Sequence, residues 1–176
     1  LLIHHPSVEL VFAQSESQTG KPIEEVHTDL IGETSLFYVA AEQAVDVLFI
    51  CRGHGRSADW LVNHPQPAAT VVIDLSSDFR LHGDWVYGLP ELNLDRIQHH
   101  RRIANPGCFA TAIQLGILPL VANGGTTEWH VHAITGSTGA GQKPSATTHF
   151  SWRNNNVSIY KAFGHQHLAE IDRSTQ

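Results

Sequence analysis

The chain has 176 residues and a formal charge of −6, from 11 Lys and Arg against 17 Asp and Glu, so it offers no basic face for nucleic acid. Apolar residues make up 41% and charged residues 16%, enough for a sizeable core and inconsistent with a disordered chain. No apolar run approaches the roughly 18 residues of a membrane span, no signal-peptide pattern opens the chain, and two cysteines build no disulfide framework; together these point to the cytoplasm. Met is absent even at position 1, so the sequence reads as a piece of a larger protein.

Residues 1–5 (LLIHH), ahead of Pro6, read as the last turn of a helix. Three short apolar runs follow, at 8–13 (VELVFA), 45–50 (VDVLFI) and 70–75 (TVVIDL). Their β-branched content predicts strands of a parallel sheet covered on both faces. The segments between them have about helix-plus-loop length, such as 42–44 leading into a strand and 57–63 following one. Each strand ends in polar residues: Gln14 to Ser17, Cys51 to Gly55, and Ser76 to Asp78. In an open α/β sheet such ends line the ligand crevice, so the three should form one edge of a site. Beyond Asn105, residues 109–120 predict a buried helix stopping at Pro119, and 129–135 and 157–160 predict two more strands. The expected fold is a doubly wound, Rossmann-like α/β parallel sheet followed by part of an α+β domain. The boundary is expected between 107 and 108: an incomplete dinucleotide-binding domain over 1–107, lacking its first strand and Gly-rich turn, and a partial catalytic domain over 108–176.

The strongest local signal is Asn105-Pro106-Gly107-Cys108 before the apolar helix. Asn is a favoured N-cap and Pro suits the first helical position, which would put Cys108 in the first turn. Free N–H groups and the helix dipole there favour a thiolate, and could also hold an oxyanion. A buried, inert Cys fits the same four residues. His165 and His167 could supply the base that a nucleophilic thiol needs, or could be surface histidines. No Cys-x-x-Cys or HExxH spacing suggests a metal, and none is expected. The glycines of 136–141 (GSTGAG) let backbone approach a ligand, though alone they are only a tight turn. Arg80 and Arg153 are candidate anion clamps, with structural ion pairs as the alternative.

Taken together, ANPGCFATA at 104–112, DLSSDFRL at 74–81, YGLPEL at 87–92, GSTGAG at 136–141, HFSWR at 149–153 and HQHLAEI at 165–171 resemble the N-acetyl-γ-glutamyl-phosphate reductase family of arginine biosynthesis, in order and over essentially the whole chain. That resemblance implies an NADPH-dependent reduction of an acyl phosphate to a semialdehyde, with phosphate released and a thioester on the motif cysteine. Cys108 matches the nucleophile, and the acid/base is His165 or His167. Ser137, Gly139 and Gly141 match a segment lining the nicotinamide pocket, while Asn105, Arg80 and Arg153 match the substrate side. Ser15 and Ser17, after the second strand of such a fold, tolerate a 2′-phosphate and favour NADP, although Glu16 lies between them. A homo-oligomer acting on a small acyl phosphate, with no membrane or nucleic-acid partner, is the implied assembly. The family's GxxGxxG turn is not in this sequence. Three rivals stand beside this reading: a reductase for the one-carbon-longer aminoadipyl substrate, a non-redox cysteine hydrolase, and an inactive nucleotide-binding module. A methylene changes discrimination by only ~1–3 kcal/mol, so motifs do not separate the first rival.

Overall fold

A computed structural model describes residues 2–124, 128–141 and 143–175. Residue 1 of the expected first helical turn therefore lies outside the described residues; Leu2–His4 form a single 3-10 turn. Two compact units divide the chain, Leu1–Leu48 and Phe49–Gln176.

In the first unit, β1 (Ala13–Gln14) pairs in parallel with β2 (Tyr38–Val39), in the register Ala13 to Tyr38 and Gln14 to Val39. Between them lie α1 (Ile23–Val26), carrying the buried Ile23, and a 3-10 turn at Thr28–Leu30. The strand expected at 8–13 is thus corrected to two residues at its end. Val8 and Val11 are exposed, so the apolar run has no covered face to favour extension.

The larger sheet has the order β3-β4-β6-β5, formed by β3 (Val47–Ile50), β4 (Val71–Asp74), β5 (Val86–Tyr87) and β6 (Arg102–Ala104). Strand β6 runs parallel to both β4 and β5; Ile73 faces Ile103, and Tyr87 faces Ala104. Two helices connect these strands: α2 (Ser57–Asn63), as the sequence predicts, and α3 (Pro90–His99), which starts on a proline whose missing N–H costs nothing at that position. Val72, Val86, Leu89 and Ala104 form the driest part of the core. Contrary to expectation, β3 and β4 are covered alternately, not on both faces: Leu48 and Ile50 are buried while Val47 and Phe49 are exposed. Nor do the three polar strand ends border one sheet, because β1 belongs to the separate two-stranded sheet.

After β6 comes α4 (Cys108–Ala122), then a 3-10 turn at Ser137–Ala140, α5 (Phe150–Arg153) and α6 (Leu168–Thr175), which packs on α4. Helix α4 runs through Pro119 instead of stopping there. The proline removes one bond to the carbonyl of Leu115, which lies on the exposed face, where water can replace it. Only a stripe at Ala110, Gln114 and Ile117 is buried, so this helix is amphipathic by position although apolar in composition. Residues 129–135 and 157–160 form no strand among the described residues; Ile134, Val157 and Ile159 are open to solvent, and an extended segment without a partner strand has no ladder to stabilise it.

Candidate active site

Four elements converge on the start of α4. The turn Asn105-Pro106-Gly107 leaves the end of β6, anchored where the Asn105 N–H donates to the Asp74 carbonyl at 2.8 Å. Gly107 is the N-cap and Cys108 the first helical residue. This corrects the expectation that Asn105 caps the helix: its side chain donates instead to the Pro106 carbonyl at 3.1 Å, and the residue is exposed. Cys108 is exposed, at the end of α4 where backbone N–H groups have no intrahelical acceptor.

His167 stands immediately before α6 and is 6% exposed. Its ring lies flat against Gly107: a Cβ built on that glycine would come within 2.6 Å of three ring atoms, so no larger residue fits there. The neighbouring His165 ring meets it edge-on at 4.5 Å, and Phe109 packs against both. Both histidines titrate below the ordinary value. Burial is the main cause in each; for His167 the Glu170 carboxylate opposes it, while His165, Arg80 and His54 add to it.

Glu170, in the first turn of α6, is 4% exposed and ties the site together. One oxygen accepts from Arg80 at 2.9 Å; the other accepts from the Tyr87 hydroxyl at 2.9 Å and from the Gly107 N–H at 3.0 Å. Gln114 donates to the Tyr87 oxygen at 2.7 Å from the buried stripe of α4. Arg80, 5% exposed, also donates to the carbonyls of Asn105 (2.9 Å) and Leu75 (3.3 Å). Buried charge of both signs is thus paired and hydrogen-bonded, as an interior of low dielectric requires. Burial pushes the Tyr87 phenol above its usual range, which keeps it a hydrogen-bond donor to Glu170.

Of the residues singled out in the sequence, the structure brings Cys108, Asn105, Arg80, His165 and His167 into this cluster. Arg153 is elsewhere, on α5, donating to the Thr147 carbonyl at 2.8 Å with its guanidinium over Trp152. Ser137, Gly139 and Gly141 sit in or beside the 3-10 turn after the irregular stretch, where Gly141 takes a φ of +89° that disfavours other residues. Ser15 and Ser17 belong to the first unit, at the end of β1; the Ser15 N–H donates to the Val39 carbonyl at 3.1 Å. Tyr87 and Gln114 are the residues that sequence reasoning missed, and Glu170, noticeable beside the histidine pair, carried no role from sequence. Their signals were slight: a carboxylate three residues after His167, and one tyrosine and one glutamine inside matched motifs or an apolar helix. Cys51 is exposed, yet desolvation of its thiol, and then the Asp74 carboxylate, push its titration up. No group of three or more His, Cys, Asp or Glu is placed to hold a metal among the described residues.

The family model described as semialdehyde dehydrogenase, NAD binding domain, matches residues 1–100, and the model of the semialdehyde dehydrogenase dimerisation domain matches residues 108–176. The chain belongs to the semialdehyde dehydrogenase family. Relatives in this family include N-acetyl-gamma-glutamyl-phosphate reductase of Parabacteroides distasonis, 54% identical across 99% of this chain and 56% of the relative. The protein of the same name from Bacteroides thetaiotaomicron is 52% identical over the same shares. The chain therefore spans about half the length of the curated relatives it matches. A crystal structure of aspartate semialdehyde dehydrogenase II from Vibrio cholerae superposes with a TM-score of 0.50 at 24% identity, over 66% of this chain and 35% of that one, which shows the shared semialdehyde dehydrogenase fold.

Proposed function

We propose that this chain carries the catalytic cysteine and base of an NADPH-dependent reductase that converts N-acetyl-γ-glutamyl phosphate to N-acetylglutamate semialdehyde. The substrate comes from the names of relatives about half identical to it. The chemistry comes from one observation: an exposed thiol on the first residue of a helix, one residue from a glycine against which an imidazole is packed. In this reading the Cys108 sulfur attacks the acyl carbon, the bond to the phosphate oxygen breaks, and phosphate leaves with that electron pair. The resulting thioester remains on Cys108. The N–H groups of the first turn of α4 stabilise the negative oxygen at each tetrahedral stage. Bound NADPH supplies a hydride. When the carbon–sulfur bond then breaks, Cys108 leaves as thiolate and the base histidine returns its proton.

In the first unit, the half-buried Ser15 and the exposed Ser17 are the candidates for the ribose-phosphate end of a dinucleotide. In the second unit, Ser137, Gly139 and Gly141, in or beside a 3-10 turn, are the candidates for contacts to the nicotinamide. Asn105 and Arg153 would meet the substrate. A boundary at 107/108 separates the nucleotide-binding part from the catalytic part, in line with the two matched family models. The dimerisation-domain match supports a homo-oligomer, and we place the enzyme in the cytoplasm with other biosynthetic reductions. No helix among the described residues is long and apolar enough to cross a membrane.

Mixing the protein with the acyl phosphate should release phosphate in proportion to enzyme and add the acyl mass to the peptide bearing Cys108, without nicotinamide. NADPH should then discharge the adduct as aldehyde. Cys108→Ser should lose both phosphate burst and adduct with the circular dichroism spectrum unchanged. Turnover to free acid without cofactor would favour the hydrolase, a preference for the longer aminoadipyl phosphate the homologous reductase, and neither burst nor adduct in the parent would sink the mechanism.

A further inference from the structure

Tyr87 lies in the middle of a run of hydrogen bonds whose direction is fixed by the chemistry of its members. The Gln114 amide nitrogen donates to the Ala110 carbonyl at 3.0 Å and to the Tyr87 oxygen at 2.7 Å. Turning that amide over would set its oxygen against a carbonyl, which has no proton to give, so the nitrogen end must face Tyr87. With a donor already on its oxygen, the phenol directs its one proton to Glu170 Oε2, 2.9 Å away. The same Oε2 accepts the Gly107 N–H at 3.0 Å, and Oε1 accepts from Arg80 at 2.9 Å. The path thus leaves α4 at Gln114, crosses β5 and α6, and returns to α4 at its N-cap, about two helical turns before Gln114.

Tyr87 is itself held from behind. The Gly88 N–H donates to the Ala104 carbonyl at 2.8 Å, a Cβ on Gly88 would lie 2.9 Å from Ile103 Cγ2, and Asn93 donates to the Tyr87 carbonyl at 2.9 Å. Strand β5 is therefore a fixed reference for whatever the phenol holds. A helix tied at one point can still turn or slide, whereas α4 is tied at both Gly107 and Gln114, each of them buried, with the exposed Cys108 between them in sequence. We propose that Tyr87 is a positioning residue for the thiol: through Glu170 on one side and Gln114 on the other, it fixes where the first turn of α4, and with it Cys108, stands relative to β5 and α6. This inference rests on the thiol chemistry proposed above. It commits the Gly107 N–H to Glu170, which leaves the oxyanion to N–H groups from Cys108 onward. It also places Arg80, 5% exposed and bonded to the Asn105 and Leu75 carbonyls, behind the carboxylate as its counter-charge, not at the substrate as the sequence led us to expect.

Two readouts on the full chain test it. The first is amide hydrogen exchange, which uses neither acyl phosphate nor cofactor. In Tyr87→Phe, which keeps the ring, exchange at Gly107 and at Thr111, whose N–H donates to the Gly107 carbonyl, should quicken about tenfold relative to Val72 in β4; a loss of global stability would speed all three alike. The second is the phosphate burst on mixing with the acyl phosphate. Its rate constant should fall about tenfold, while the acyl-phosphate concentration giving half the maximal rate stays within about twofold of the parent's. Gln114→Met removes the donor that orients the phenol but keeps the bond from Tyr87 to Glu170; it should shift the exchange ratio the same way by less, and it decides where Tyr87→Phe fails to fold. An exchange ratio equal to the parent's in the folded variant overturns the proposal, and so does a burst at the parent's rate. A parent chain with no burst would instead remove the thiol chemistry, with the exchange ratio still deciding whether Tyr87 holds the turn.

Discussion

Burial, reinforced by His165, Arg80 and His54, outweighs the attraction of Glu170 and lowers the titration of His167 in the folded chain. A histidine whose titration is depressed on folding binds fewer protons folded than unfolded in the acid range. Its contribution to stability is therefore whole above the unfolded value of about 6.5 and is lost as pH falls through the lower folded value. His165 acts in the same direction. Resistance to denaturant should accordingly fall as pH drops below about 6.5, with a smaller loss in His167→Gln; an identical loss in that variant would count against the assignment. The carboxylate beside it makes a sharper test. Removing Glu170 strands the buried Arg80 cation, so Glu170→Ala should cost about 3–5 kcal/mol, whereas Tyr87→Phe, which removes one hydroxyl from the same carboxylate, should cost about 1–2 kcal/mol. Cys108 and the two histidines were legible as residue types in a recognisable order. Their support was not, since Glu170, Tyr87 and Gln114 acquire meaning only when α6, β5 and α4 are brought together.

Among the elements, α2 shows how a distant residue ends up holding a helix. Its own N-cap, Arg56, makes no side-chain cap bond. Asp78, in the segment after β4, takes that role, accepting the N–H groups of Gly55 at 2.6 Å, Ser57 at 3.0 Å and Ala58 at 3.3 Å. Burial alone would raise its titration, but those bonds and the Ser76 hydroxyl lower it, as expected for a carboxylate at the positive end of a helix. Asp78→Ala should cost about 1 kcal/mol, read as a lower urea midpoint at unchanged slope, and Asp78→Asn should recover part of it. Apolar runs bounded by turn residues located β3 and β4 closely, and the length of the segment between them allowed for α2. The same reasoning failed at 129–135 and 157–160, because alternation reports a face that could be buried, not a strand that has a partner.

At the scale of the molecule, several large apolar side chains stand open to solvent. Val157 and Ile159 are each 89% exposed and Phe163 is 103% exposed, all within the segment matched by the dimerisation-domain model. Exposed apolar area of this kind favours association. Sedimentation velocity should show a concentration-dependent shift to larger species, reduced in a Val157→Glu, Ile159→Glu double variant; a single monomeric boundary at all concentrations would contradict it. Composition and motif order were enough to establish an α/β chain of this family, because strand hydrophobicity and the residues flanking a reactive thiol are local properties written in consecutive positions. The tertiary structure alone decided that Arg80 is buried, that Gly107 seats an imidazole, and that one carboxylate joins three elements: such contacts link residues up to 90 positions apart, and no local pattern encodes which of many possible partners a buried charge will meet.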